Sequence, residues 1–203
     1  GGKPVRFANP LQARAAGIGF IHQHTTCFEE LSVAENISIQ SDRPGLFSRS
    51  QIEMEARALL IRLGVGHVDP RARMASLTIG ERQLVDVARA LIDEPGVLLF
   101  DEPTSSLSRQ EVAQLFEVIR SLRDEGRTVF YTSHFLDDVL DLADRIAVLR
   151  DGALVMDQPC EGLTREVLVS KMLSRDFVEE EAAARPEPTG PMILHVEDLC
   201  PSG

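Results

Sequence analysis

The sequence runs to 203 residues, 43% hydrophobic and 26% charged, with a formal net charge of -11. This is an ordinary globular composition, and its acidity argues against a nucleic-acid backbone or an anionic lipid surface as a direct partner. Its three cysteines, Cys27, Cys160 and Cys200, lack paired spacing and favour free thiols over a disulfide framework or zinc site, and no run approaches the roughly 20 apolar residues that span a bilayer.

In chain order, Gly1 to Pro10 carries no helix-starting signal and reads as either a short edge strand or a cut end, with a helical piece following over Ala13 to Gly17. Ile18 to Ile21 reads as a buried strand that ends at His22, Gln23 and His24. Four capping boxes, each a Ser or Thr with a Glu three residues on, then mark helix starts. They are Ser32 with Glu35, Ser50 with Glu53, Thr78 with Glu81, and Ser108 with Glu111. The second opens a helix with Ile52, Ala56, Leu59, Leu60 and Leu63 on one face, ended by Gly64. The third leads into Arg82 to Ile92 with Leu84, Val87, Ala88 and Leu91 on one side. The fourth turns Val112, Leu115, Phe116, Ile119 and Leu122 inward and stops at Gly126.

Val97 to Phe100, four apolar residues after a Pro95-Gly96 break, predict a strand buried on both faces, as in a parallel sheet. Strand Thr128 to Thr132 ends at Ser133 and His134, and a helix carrying Leu136, Val139, Leu140 and Leu142 follows. Ile146 to Leu149 turns through Asp151-Gly152 into Ala153 to Met156, a hairpin signal. After a last helix over Thr164 to Leu173, residues 176–191 have linker composition and Met192 to Val196 returns to strand-like alternation. Alternating strands and helices predict an α/β fold with a mainly parallel sheet flanked by helices.

Asp101 and Glu102 leave the central strand at its carboxyl end, where ligands bind in open α/β sheets. Paired acids there suit a metal and an activated water, although two solvated acids are the plainer reading. Leu77 to Gln83, L-T-I-G-E-R-Q, sets a hydroxyl and free backbone N–H groups at a helix N-terminus, an anion site as well as a capping box. Gln23 and His134 each follow a strand, and either alone says little.

In this order the four elements resemble the nucleotide-binding subunit of an ATP-binding cassette transporter, over about Gly17 to Arg175. The resemblance implies a P-loop NTPase-type sheet with an α-helical subdomain over about residues 32–77. It makes Val97 to Asp101 the Walker B strand, with Asp101 reaching Mg2+, usually through water, and Glu102 polarising the attacking water. Gln23 becomes the Q-loop glutamine, in contact with metal and water, and His134 the switch histidine at the γ-phosphate. Thr78, Ile79, Gly80 and Glu81 stand in the signature, usually L-S-G-G-Q, which holds the γ-phosphate of ATP bound to the opposing domain. Ile79 replaces its first glycine and Glu81 its glutamine. Ser105 to Ser108 is the D-loop, which puts Ser106 and Ser108 at the nucleotide interface, with Ser108 where many members have aspartate.

The Thr-Ile-Gly-Glu signature is similar to the first of two fused cassettes in bacterial monosaccharide importers. That implies ATP and Mg2+ as cofactors, with transmembrane permease subunits and a second cassette as partners. It also implies indirect action of a periplasmic sugar-binding protein, no nucleic acid, and a peripheral place on the cytoplasmic face of the inner membrane. Residues 1–175 are then part of a nucleotide-binding domain, 176–191 a linker, and 192–203 the start of a second cassette. A P-loop, G-x-x-x-x-G-K-[ST], does not occur, since Lys3 precedes proline and Lys171 precedes methionine. The expectation is that the first strands and the P-loop are missing from this chain, which by itself does not hold ATP tightly. Two other readings stay open: a soluble cassette ATPase of translation or DNA-repair type, and a non-catalytic cassette-shaped interaction module.

Overall fold

A computed structural model describes residues 4–23, 26–39, 41 and 48–173. His24, the proposed linker at 176–191 and the strand-like run at 192–196 lie outside the described residues. Helix α1 (Pro10–Ala15) begins where the sequence reading found no start. The signal is the Asn9-Pro10 pair: the Asn9 side chain accepts the Gln12 N–H at 3.0 Å, and proline at the first position lacks only an N–H that would have no helical partner.

Strands β1 (Ile18–Ile21), β2 (Val97–Asp101) and β3 (Thr128–Thr132) form one parallel sheet with β2 in the middle. Ile21, Phe100 and Tyr131 stand side by side in register on the face that packs into the main core, with Gly19, Leu98 and Val129 on the same face. The opposite face carries Phe20, Leu99 and Phe130, again in register, and there Phe20 and Phe130 are 45% and 58% exposed. The central strand is therefore buried on one face and only half covered on the other, a correction to the two-sided burial its unbroken apolar run predicts. An apolar run reports that neither face tolerates charge; it does not report whether the second face is covered within these residues.

Helices α2 (Val33–Ser38), α3 (Arg49–Arg62) and α4 (Ile79–Leu91) pack on one another, and their apolar faces join the sheet and α5 (Arg109–Asp124) in one contiguous core. Three of the four capping boxes form as read, at Ser32, Thr78 and Ser108. The box read at Ser50 is shifted: α3 is capped by Ser48 with Gln51, and Ser50 lies inside the helix. Glu53, read as the partner of Ser50, has its oxygens on Arg49 at 3.2 Å and Arg71 at 2.7 Å. Two overlapping S-x-x-E/Q runs compete at this start, and the arginines draw the acid away. Helix α4 is buried almost all round, including Gln83, Asp86 and Arg89, and not on one side alone.

Helix α6 (Leu136–Leu142) leads to an antiparallel hairpin, β4 (Arg145–Arg150) and β5 (Ala153–Pro159), turning at Asp151-Gly152, and α7 (Arg165–Met172) covers it. A groove of about 1060 Å³ separates β3 from β4 and is lined by both strands. β3 pairs only with β2, and β4 only with β5, among the described residues. No helix there is long and apolar enough to cross a membrane.

Candidate active site

The carboxyl ends of three segments meet at Glu102. β2 delivers Asp101 and then Glu102, whose backbone turns into the left-handed region at φ 45°. That turn is pinned by the Glu102 N–H, which donates to the Thr132 carbonyl at 3.1 Å and the Thr132 hydroxyl at 3.2 Å. With the backbone so placed, Glu102 Oε2 accepts from Gln23 Nε2 at 3.1 Å and lies 3.1 Å from His134 Nδ1. Gln23 follows β1 and His134 follows β3, so the parallel register of the sheet is what brings these chain-distant groups to one oxygen.

Asp101 is exposed, and its Oδ1 accepts the Thr132 hydroxyl at 2.8 Å, which leaves Oδ2 open to the surface. Among the described residues no cluster of three or more His, Cys, Asp or Glu is arranged to hold a metal. That donor set suits a hydrated Mg2+ better than a fully protein-ligated ion, because magnesium keeps several waters and takes one or two carboxylates plus substrate phosphates. Gln23 donates through its amide nitrogen, so its carbonyl oxygen is the second hard donor available here.

The loop after β2 is held by a half-buried polar knot that the sequence reading did not single out. Thr104 Oγ1 donates to Asp138 Oδ2 at 3.0 Å, and the Tyr131 hydroxyl lies 3.3 Å from Thr104. Burial, with the nearby Asp138 charge adding to it, pushes the Tyr131 pKa up to about 12, so it remains a neutral phenol. The knot ties the Pro103-Thr104 turn to β3 and to α6, which starts next to His134. Ser106 is exposed on this turn, and Ser108 caps α5.

The signature residues form a second, separate group at the N-terminus of α4. Thr78 and Glu81 make the capping box, with Thr78 N–H donating to Glu81 Oε2 at 2.9 Å and Glu81 N–H to Thr78 Oγ1 at 3.2 Å. Glu81 Oε1 meets His67 Nε2 at 2.9 Å. Burial acts to raise the Glu81 pKa, but the bonds from Thr78 and His67 outweigh it and hold the carboxyl below its ordinary value. Ile79 is 56% exposed. The Gly80 N–H donates to Glu111 Oε1 at 3.0 Å, while Glu111 Oε2 accepts the Ser108 N–H at 2.9 Å and hydroxyl at 2.7 Å. The N–H groups of Thr78, Gly80 and Glu81 are thus already occupied by the chain's own oxygens, where the sequence reading expected free donors. The missed residue is Glu111, whose visible signal was its box with Ser108; nothing in its spacing announces the reach to Gly80, 31 residues away.

Helix α4 links the two groups. Its Arg89 donates to the Thr26 carbonyl at 2.6 Å and hydroxyl at 3.0 Å, just past Gln23. Arg89 also pairs with buried Asp86 at 2.6 Å, in a geometry that makes a charge contact and no hydrogen bond. Burial pushes the Asp86 pKa up, against the pull of Arg89.

A family profile described as ABC transporter matches residues 2–105. The chain is 39% identical over 201 residues to a putative ribose/galactose/methyl galactoside import ATP-binding protein of Pseudomonas fluorescens, covering 98% of this chain and 39% of that protein. It is 42% identical over 200 residues to ribose import ATP-binding protein RbsA 1 of Rubrobacter xylanophilus, covering 98% of this chain and 40% of that protein. The chain therefore spans about two fifths of the length of the curated relatives it matches. Among solved structures, cbiO1 of Clostridium perfringens, part of the ABC transporter complex cbiONQ, is 24% identical with a TM-score of 0.64 over 79% of this chain and 62% of that one. A nucleotide-free ATP-binding cassette from an ABC transporter is 23% identical with a TM-score of 0.69 over 84% of this chain and 70% of that one.

Proposed function

The chain belongs to the ABC transporter family, and on that premise we propose that it works in an ATP-hydrolysing cassette that energises a bacterial sugar importer. The observation that carries the reading is the convergence of Gln23 and His134 on one oxygen of Glu102 at the end of β2. Glu102 takes the proton of the attacking water: Oε2 is oriented by its two partners, and Oε1, which has no hydrogen-bond partner among the described residues, serves as the base. A general base so placed contributes roughly 10²–10⁴ in rate. His134 passes its remaining ring nitrogen to the γ-phosphate. Asp101 Oδ2 and the Gln23 carbonyl would hold Mg2+, which when bound neutralises phosphate charge. Thr78 to Glu81, with Ser106 and Ser108, face the nucleotide of an opposing cassette.

The names of the relatives, which print ribose and galactose import, support a sugar as the cargo; membership of a transporter family supports transmembrane permease subunits as partners and a peripheral place on the cytoplasmic membrane face. On the same reading, residues 32–77 form the helical subdomain that meets the permease, 176–191 are a linker, and 192–203 begin a second cassette. The test is to reconstitute the full-length protein with its permease subunits in vesicles and measure ATP-dependent uptake of ribose, galactose and arabinose. Uptake of one of them, abolished in Glu102→Gln, is the expected result. ATP hydrolysis that no sugar and no permease alters would point to a soluble cassette ATPase instead.

A further inference from the structure

Gly80 is the buried residue of the run Thr78 to Glu81, and its amide is held by a carboxylate from another helix. Glu111 spans two helix N-termini: Oε2 closes the Ser108 cap of α5, and Oε1 takes Gly80 N–H of α4. Helix N-termini attract anions through their unpaired N–H groups and dipole, so a carboxylate seated on two of them is a built-in anion. A Cβ on residue 80 would sit 2.3 Å from Glu111 Oε1 and 2.6 Å from its Cγ, so the glycine is what makes room for it. Glu81 adds a second carboxylate one residue along, itself on the Thr78 N–H.

We propose that Glu111 is a positioning residue that occupies the Gly80 amide and must be displaced before that amide can reach a phosphate. The inference rests on the cassette reading above. It makes the signature self-liganded, and it couples its opening to the D-loop, because the carboxylate that leaves Gly80 belongs to the box that caps α5. Phosphate binding at the signature and the position of the Ser105 to Ser108 turn then change together.

Glutamine at 111 separates the two links. A glutamine serves as the third-position partner of a capping box, as Gln51 does with Ser48 in this chain. Its side chain has one acceptor oxygen, however, and the amide nitrogen cannot accept the Gly80 N–H. Glu111→Gln therefore keeps the Ser108 cap and frees Gly80. In the full-length protein the expected result is faster hydrogen exchange at the Gly80 amide without nucleotide. The ATP concentration for half-maximal turnover should fall about three- to tenfold with kcat within twofold. Gly80→Ala, which evicts Glu111 and also crowds the phosphate, should raise that concentration. Unchanged exchange at Gly80, or an unchanged or raised half-saturation in Glu111→Gln while the parent hydrolyses ATP, overturns the role of Glu111 alone. A parent protein with no ATP hydrolysis at all overturns the cassette reading and this inference with it.

Discussion

Two groups of polar residues on the same core handle their hydrogen bonds in opposite ways. At Glu102, donors from the ends of separate strands converge on one carboxylate oxygen and leave the other without a partner among the described residues, and the backbone is held at a left-handed φ of 45° to do so. At Thr78 to Glu81, backbone donors are spent on nearby oxygens from Thr78, Glu81 and Glu111, within relaxed helix geometry. A base is useful while one acceptor stays unsatisfied, whereas an anion site left open would attract any passing carboxylate or phosphate. The difference is what a residue set arranged for chemistry, set beside one arranged for controlled docking, would require.

The sharpest way to separate them is Glu102→Gln in the full-length protein, which should lower turnover by about 10²–10⁴ and leave ATP binding intact. Near-normal turnover measured by phosphate release would take Glu102 out of the base role. The link between the two groups is tested by Arg89→Ala, which leaves Asp86 buried without its cation. A loss of about 3–5 kcal/mol in denaturant unfolding is expected, and a loss under 1 kcal/mol would mean the pair does not brace the Gln23 segment.

Glu102→Gly asks whether the base is held under strain. Left-handed backbone costs a side-chain-bearing residue about 1–2 kcal/mol, and the added chain entropy of glycine returns about 0.5–1. The variant should therefore be inactive yet about 0.5–1 kcal/mol more stable, and a lower melting temperature would show that its side-chain bonds outweigh the strain. The mildest test is acid. Hydrogen bonds from Ser32 and Ser108 hold the Glu35 and Glu111 carboxyls below the ordinary value of 4.5, as those from Thr78 and His67 do for Glu81 against its burial. Their contribution is complete above that value and is lost as pH falls through the depressed folded-state values. Melting temperature should thus decline below about pH 4.5, less steeply in Glu111→Gln; identical acid profiles would count against an ionised Glu111.

Local rules made most of this legible. Strands β1, β2 and β3 lie where apolar runs between breakers put them, and three helices start at boxes visible as a hydroxyl and an acid three residues apart. The sequence also carried Asp101, Glu102, Gln23 and His134 one by one, but their meeting at one oxygen follows from parallel strand order, which no local pattern encodes. Ser50 misled because two capping runs overlap, and only the positions of Arg49 and Arg71 decide between them. Glu111 was readable for its cap and unreadable for its second contact, since a 31-residue reach depends on how α4 and α5 pack. Asn9-Pro10 is local chemistry, a side-chain cap followed by a proline at the first helical position.

The groove between β3 and β4 bears on how this chain behaves in a test tube. Both bordering strands have an edge with no ladder partner among the described residues, and Phe130 stands exposed beside them. Unpaired strand edges next to bare aromatic surface template pairing between molecules. Purified as these 203 residues, the chain should clump through β3 in proportion to its concentration, and light scattering should show the clumping suppressed by Phe130→Lys. An extended peptide that zips into the groove would act as its solubiliser.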